Sequence, residues 1–183
     1  MRPQTRFLTM LLVIITLLAA SPAQQYKHDP LTDAEVDQMR EAADYPNHRL
    51  ELLVKFARER VFQIESAAAD SAPAKVKQVH DSLEDFIAIL DEIDDNIDMY
   101  GAHNADMRKG LKLVIEADSE WQLKLRQLKE KANPDELQQY SFVLVNANDT
   151  VADSAKTARE TLQEQNKLAA EKKLTKVYSE RKD

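Results

Sequence analysis

The sequence contains no cysteine, only two glycines and only one tryptophan among its 183 residues. Without cysteine, the chain has no disulfide framework, no thiolate metal site and no thiol nucleophile. Its only glycines are Gly101 and Gly110, which excludes Gly-rich phosphate loops and folds with many tight turns between strands. These absences leave an all-helical protein as the predicted class.

Recognisable catalytic patterns are also missing. No glutamate stands three positions before any of the four histidines, so the Glu-x-x-His pairs of dimetal helical bundles are absent. The chain has no His-x-x-x-His pair, no EF-hand spacing and no G-x-S-x-G turn. His80 and Glu84 are four residues apart, which is typical of a pair along one helix. We therefore predict a non-enzymatic protein without a cofactor.

The first 23 residues have the pattern of a secretory signal peptide. Arg2 and Arg6 precede a mostly apolar run at residues 7–20, and small residues follow up to Ala23. A membrane-spanning helix needs ~20 apolar residues, so this run favours a signal peptide cleaved after Ala23 over an uncleaved anchor. The predicted location is periplasmic or extracellular, with residues 24–31 as a flexible leader and no membrane span after cleavage.

The mature chain is acidic. Removal of Arg2 and Arg6 leaves 23 basic and 32 acidic side chains, a formal net charge of −9. The electrostatic field of such a negatively charged chain disfavours nucleic acid and anionic lipid as partners. A chain of this length can bury enough surface for one core without disulfides. We expect one domain over residues 32–166 and no nucleic-acid partner.

Apolar residues recur every three or four positions and predict four long helices. Before them, a capping box of Thr32 and Glu35 opens a short helix that Pro46 interrupts. The second long helix has an unbroken apolar seam from Val76 to Tyr100, as in helices that pack nearly parallel or antiparallel. The predicted long helices occupy residues 46–69, 76–100, 107–132 and 134 onward.

Short connections between these helices favour antiparallel neighbours. We predict an all-α, antiparallel up-down four-helix bundle with a short N-terminal helix and an over-long C-terminal helix. Gly101 is expected to close the second long helix, which would fold back on the third as an adjacent hairpin. Residues 167–183 are expected to form a charged extension of the last helix.

Asp118 interrupts the apolar seam of the third long helix, at a position where the pattern predicts leucine. A buried carboxylate needs a partner. Counting outward from the turns puts Asp118 level with Asn148 and with Lys55 or Arg58. We predict a buried polar layer of Asp118, Asn148 and Lys55 that fixes the register of the helices. Its alternative role is a ligand site inside the core.

Eight acidic residues and no basic residue lie between Asp81 and Asp98, and basic residues follow the next turn. Both arrangements oppose the helix dipole, so we predict that the two charge groups face each other across the turn. This predicted interaction tip consists of Asp91, Asp94, Asp95, Asp98, Arg108, Lys109 and Lys112. The alternative is a divalent-cation site, with Asp95, Asp98, His103 and Asp106 as candidates.

Three runs resemble exported bacterial all-helical proteins of unassigned function: residues 52–60, residues 80–100 and residues 108–118. The resemblance covers most of the mature chain, supports a location in the cell envelope and implies no activity. We predict a protein-interaction or structural module of the envelope. Its partner would be another protein, or a second copy bound through the last helix. The alternative function is binding of a small ligand or divalent cation.

Overall fold

The computed structural model describes residues 29–72 and 74–180, with side chains described up to residue 173. The predicted signal peptide and most of the predicted leader lie outside these residues. The described chain is all-α, as predicted, and contains no strand. Its helices are α1 (Asp33–Glu41), α2 (Pro46–Ala69), α3 (Lys75–Ala102), α4 (Arg108–Lys131) and α5 (Pro134–Glu180).

Helix α1 begins at the predicted capping box. The Thr32 hydroxyl accepts the Glu35 backbone N–H at 3.3 Å, and the Glu35 carboxylate accepts the Thr32 N–H at 2.7 Å. Two backbone donors that a helix N-terminus would leave without partners are thereby satisfied. Pro46 then starts α2 at a first-turn position, where its missing N–H costs nothing.

The four long helices form the predicted bundle, and consecutive helices alternate in direction. Around the bundle the order is α2, α3, α5, α4, because α2 packs on α3, α3 on α5, α5 on α4 and α4 on α2. The pairs Arg58–Glu120 and Glu65–Lys124 follow the same order along α2 and α4. Adjacent helices α2 and α4 are therefore parallel, as are α3 and α5.

The prediction of an adjacent α3–α4 hairpin is wrong. These helices lie diagonally across the bundle and meet through the core, where the Phe86 and Trp121 rings pack edge to face with centroids 5.6 Å apart. The connection at residues 103–107 can reach ~20 Å when extended. A bundle with neighbours 8–10 Å apart has a diagonal of only about 14 Å. A short loop therefore does not force its two helices to be neighbours.

The turn after α3 does not use Gly101 as predicted. Helix α3 continues through Gly101 to Ala102, and Asn104 is the residue with a positive φ, at 54°. Asparagine tolerates this left-handed conformation better than most residues. Two amide side chains then hold the connection. Gln165 accepts the Met107 N–H at 3.0 Å and donates to the Ala105 carbonyl at 2.8 Å.

The second amide belongs to Asn47, which caps α4 from the neighbouring helix α2. Its Oδ1 accepts the N–H groups of Lys109 and Gly110, each at 2.9 Å. A Cβ atom at Gly110 would lie 2.8 Å from the Leu50 Cβ, so only glycine lets α2 and α4 approach this closely. Gly110 is thus needed for helix packing and not for a turn.

The predicted apolar seam of α3 forms the centre of the core. Its residues from Val79 to Ile97 are nearly inaccessible to solvent, and Tyr100 is also buried. Together with the apolar faces of α2, α4 and α5 they make one continuous core. Within the part of the chain that the structure describes, no helix is both long and apolar enough to span a bilayer.

Candidate interaction surface at the end of the bundle

Asp118 is buried, as predicted, with only 4% of its surface exposed. Its carboxylate accepts a hydrogen bond from the Gln122 amide at 2.7 Å and one from the Arg159 guanidinium at 2.7 Å. Arg159 comes from α5 and is itself half exposed. Asp118 therefore joins α4 to α5, and both of its oxygens already have partners. This arrangement favours the structural role over a ligand site.

The other predicted members of this layer are not partners of Asp118. Asn148 donates to the Leu144 carbonyl on its own helix at 2.8 Å. Lys55 is exposed and lies 3.8 Å from Glu59, and Arg58 pairs with Glu120 on the surface. The prediction was wrong because it looked for residues level with Asp118. An arginine side chain reaches several ångströms along the bundle, so its Cα need not be level with the carboxylate that it binds.

Sequence reasoning missed a buried ion pair that docks α1 on α2. The Arg60 guanidinium donates to both oxygens of Glu35, at 2.6 and 3.0 Å, and also to the Pro30 carbonyl at 2.7 Å. Arg60 and Glu35 are both buried. Burial by itself would raise the pKa of Glu35, but hydrogen bonds from Arg60 and Thr32 lower it overall. One signal was available, since Arg60 lies at helical spacing between the buried Ala57 and Ile64.

Asp94 belongs to the predicted interaction tip and lies at the interface between the parallel helices α3 and α5. The buried hydroxyl of Ser154 donates to its Oδ1 at 2.8 Å. Burial raises the pKa of Asp94 to about 6 despite this bond, and the negative charges of Asp91, Asp98 and Asp153 add to the effect. Among the residues that the structure describes, no arginine or lysine forms an ion pair with Asp94 as Arg60 does with Glu35. We name these four carboxylates the acidic seam.

The predicted charge pairing across the α3–α4 turn does not form for Asp94, Asp95 and Asp98. Arg108 pairs with Asp106 at 2.6 Å, and hydrogen bonds from Arg108 lower the pKa of Asp106 to about 2. Among the described residues no ion pair within 4.0 Å joins Asp94, Asp95 or Asp98 to the basic residues that begin α4, which are Arg108, Lys109 and Lys112. The diagonal placement of α3 and α4 separates the two groups.

The predicted cation candidates do not converge either. His103 Nδ1 lies 2.7 Å from the Met99 carbonyl, and the Asp106 carboxylate is bound to Arg108. In the described part of the chain, the group of three acidic or histidine side chains close enough to hold an ion is His80, Asp81 and Glu84. It lies on the surface of one helix, where Lys77 already binds Asp81. This group is explained as a surface ion-pair cluster.

A groove of about 540 Å³ lies where α5 continues past the α3–α4 connection. We call it the α5 groove. Leu168 of α5 lines it and has 48% of its surface exposed. The apolar part of the lining is Ile97, Ala102, Ala105, Leu168 and Ala169. Asp98 and Glu164 add negative charge, Lys172 adds positive charge, and the Asp106–Arg108 pair is neutral as a unit.

The opposite end of the bundle has a smaller cleft of about 280 Å³. Two of the three lysines that line it are paired with glutamates: Lys75 lies 2.8 Å from Glu136, and Lys124 lies 2.8 Å from Glu65. These pairs bridge neighbouring helices and hold the helix ends together. The two ends therefore differ, because two ion pairs join neighbouring helices at this cleft, whereas Asp98, Glu164 and Lys172 of the α5 groove form no ion pair within 4.0 Å in the described part of the chain.

Comparisons with protein-family models, with curated proteins and with solved structures each found no match.

Proposed function

We propose that the protein is an exported, non-enzymatic module of the cell envelope that binds another protein through the α5 groove. The observation that carries this proposal is the length of α5. Helix α3 ends at Ala102 and α4 begins at Arg108, whereas α5 extends 15 residues past Gln165, the residue that clamps their connection. At 1.5 Å per residue the projection is about 22 Å long.

Helix α3 ends and helix α4 begins at the base of this projection, so neither of them accompanies it. Leu168 and Ala169 line the groove on the side of the projection, while Ile97 and Ala105 line it on the side of the bundle. Side chains of a binding partner can bury this apolar surface. Exposed apolar patches with polar residues around them commonly mark protein–protein interaction sites. The charged residues around it would orient the partner as it approaches.

Export is the second part of the proposal. It is supported by the signal-peptide pattern of residues 1–23 and by the lack of cysteine, which makes the fold independent of the redox state of its surroundings. The resemblance to exported bacterial helical proteins supports the same location.

Site-specific photo-crosslinking in the native host tests the interaction. A photoreactive amino acid replaces Leu168 in the groove in one variant and Phe142 in the other. Phe142 is the matched control because it is apolar, 83% exposed and on the same helix. We expect position 168 to give a discrete adduct with another protein, and position 142 to give none or a different set.

Adducts of equal identity and yield at both positions would contradict the proposal. An adduct at position 168 that contains only a second copy of the chain would show self-association instead. Fractionation of the same cells tests export, since a full-length precursor retained in the cytoplasm would contradict it.

A further inference from the structure

The cleft at the end of the bundle opposite the α5 groove is built by all four long helices, and we call it the bundle-end cleft. Helices α2 and α4 end there, and α3 and α5 begin there. Its apolar lining consists of small or aliphatic residues, which are Ala68, Ala69, Val76, Val79, Leu128 and Ala132. Val79 and Leu128 also belong to the core, so the cleft opens directly onto it. Ligand sites of helical bundles commonly lie between the helices in this way.

Tyr140 of α5 supplies the cleft with a polar group that has no partner among the described residues. Only 3% of the Tyr140 surface is exposed, and its hydroxyl forms no hydrogen bond in the described part of the chain. The hydroxyl is nevertheless reachable, because the described side-chain atom that is both sealed from solvent and unpartnered is Trp121 Nε1. Burial raises the pKa of Tyr140, and the charge of Glu136, which also lines the cleft, raises it further.

The ion pairs of the cleft disfavour a charged ligand group beside this hydroxyl. Glu136 lies 2.8 Å from Lys75, and Glu65 lies 2.8 Å from Lys124, so each pair is neutral as a unit. A charged group in the cleft would be attracted to one member of a pair and repelled by the other. The cost of removing that group from water would remain.

The remaining polar residues of the lining do not change this balance. Lys131 is exposed, and an ion pair formed with an exposed lysine contributes little. Asn133 already accepts the Glu136 N–H at 2.9 Å as the cap of α5. Water can bond to the Tyr140 hydroxyl, but it gains nothing from the apolar lining. A ligand that bonds to the hydroxyl and covers the lining displaces this water favourably.

We propose that the bundle-end cleft binds a small aliphatic molecule with one neutral hydrogen-bonding group, such as an alcohol, and that the Tyr140 hydroxyl bonds to this group. The aliphatic body packs on Val79 and Leu128. The cleft has a volume of about 280 Å³, close to the lower limit of roughly 300 Å³ for ligand pockets, so the ligand is small. The site lies at the opposite end from the α5 groove and does not depend on the proposed function.

Three probes with the same aliphatic chain test the inference at pH 7.5: hexanol is neutral, hexanoate is an anion and protonated hexylamine is a cation. Binding to the isotope-labelled full chain is followed by two-dimensional NMR. We expect hexanol to shift the amide signals of Val79 and Leu128 in a saturable way and to leave that of Leu168 unchanged. We expect both charged probes to bind at least about fivefold more weakly.

Two tyrosine variants test the role of the hydroxyl. Tyr140→Phe removes only that group and should weaken hexanol binding about fivefold. Tyr100→Phe is the matched control, because the Tyr100 hydroxyl donates to the Ala43 carbonyl and does not line the cleft. We expect it to change hexanol binding less than about twofold. Because the Tyr140 hydroxyl has no partner in the described chain, Tyr140→Phe should be as stable in urea as the wild type.

A third comparison fills the cleft. Ala68→Leu adds a larger side chain to the lining and should abolish hexanol binding, whereas Ala152→Leu, at an exposed position of α5, should leave it unchanged. Circular dichroism establishes that each variant is folded, and Tyr140→Phe decides the question if Ala68→Leu is not. The inference is overturned if hexanol gives no saturable shift, if a charged probe binds as tightly as hexanol, or if Tyr140→Phe binds hexanol as the wild type does.

Discussion

Glu35 and Asp94 are both carboxylates held between two helices, and the protein treats them in opposite ways. Glu35, between α1 and α2, receives a bidentate guanidinium, and its pKa is lowered. Asp94, between α3 and α5, receives one hydroxyl among three further carboxylates, and its pKa is raised to about 6. Burial acts on both groups, so the difference is due to their partners.

This difference separates a structural region from a candidate functional one. The Glu35–Arg60 pair fixes α1 on the bundle and leaves no charge for a ligand. Asp94 adds an electrostatic cost to the folded state, because burial and the neighbouring carboxylates disfavour its ionised form. Perturbed groups of this kind occur both in structural networks and at functional sites, so the following variants test each carboxylate separately.

The largest effect is expected for Glu35→Gln. The variant keeps a hydrogen-bonding side chain in the capping box but leaves the buried Arg60 charge without a counter-ion, and removal of one member of a buried pair costs roughly 3–5 kcal/mol. Urea unfolding at pH 7.5, followed by circular dichroism, measures the change in the free energy of unfolding.

The double variant Glu35→Gln with Arg60→Met is the control, because it removes the buried positive charge as well. We expect it to recover most of the lost stability. If the single variant is as stable as the wild type, or the double variant is the less stable of the two, the pair does not hold α1 as described.

The variant Asp94→Asn is expected to be more stable than the wild type, in contrast to Glu35→Gln. The amide still accepts the Ser154 hydroxyl, and it does not carry the charge that burial and neighbouring carboxylates disfavour. A shift from 3.8 to about 6 corresponds to about 3 kcal/mol of gained stability at pH 7.5. The matched control is Asp95→Asn at an exposed position of the same helix, for which we expect almost no change.

The pH dependence of the free energy of unfolding gives the sign of the Asp94 contribution independently. The folded state binds the Asp94 proton more tightly than the unfolded state, so the free energy of unfolding should fall as pH rises from 4 to 6 and level off above the folded pKa. Glu35 has the opposite dependence, with stability lost in acid as its carboxylate is protonated. A variant without Asp94 whose stability falls as steeply as the wild type over this interval would contradict the assignment.

The smallest effect is expected for the exposed pair of Arg58 and Glu120, which provides the reference for both buried carboxylates. Arg58 Nε and Glu120 Oε2 are 3.1 Å apart, and both side chains are nearly half exposed. Such pairs contribute less than about 1 kcal/mol to the free energy of unfolding. Glu120→Gln should change the free energy of unfolding by about 0.5 kcal/mol or less. A loss as large as that of Glu35→Gln would mean that hydrogen-bond distance, and not burial, decides the strength of an ion pair here.

Much of the fold could be predicted from local patterns. The capping box of Thr32 and Glu35, the break at Pro46 and the seam from Val76 to Tyr100 all depend on residues a few positions apart. Each is present in the structure, with Val76 only partly buried. Burial of Asp118 followed from the same periodicity. Its partner did not, because Arg159 is 41 residues away and reaches Asp118 only through the packing of α5 on α4.

The candidate site was predicted in part. The acidic stretch on α3 and the over-long last helix were both expected, but the acidic residues were expected to face the basic start of α4. Asp94 and Asp98 lie instead beside α5, because the connection at residues 103–107 crosses the bundle diagonally. The sequence records where charge lies along each helix, whereas the arrangement of helices decides which charges meet.

Helix positions, buried faces and end signals were determined by the sequence itself, since helical periodicity and capping act over one or two turns. The order of the helices around the core, and with it the contrast between the compensated Glu35 and the uncompensated Asp94, was decided only in the tertiary structure. An ion pair depends on the distance between two side chains in space, and residues 25 positions apart, such as Glu35 and Arg60, are brought together only when the helices pack.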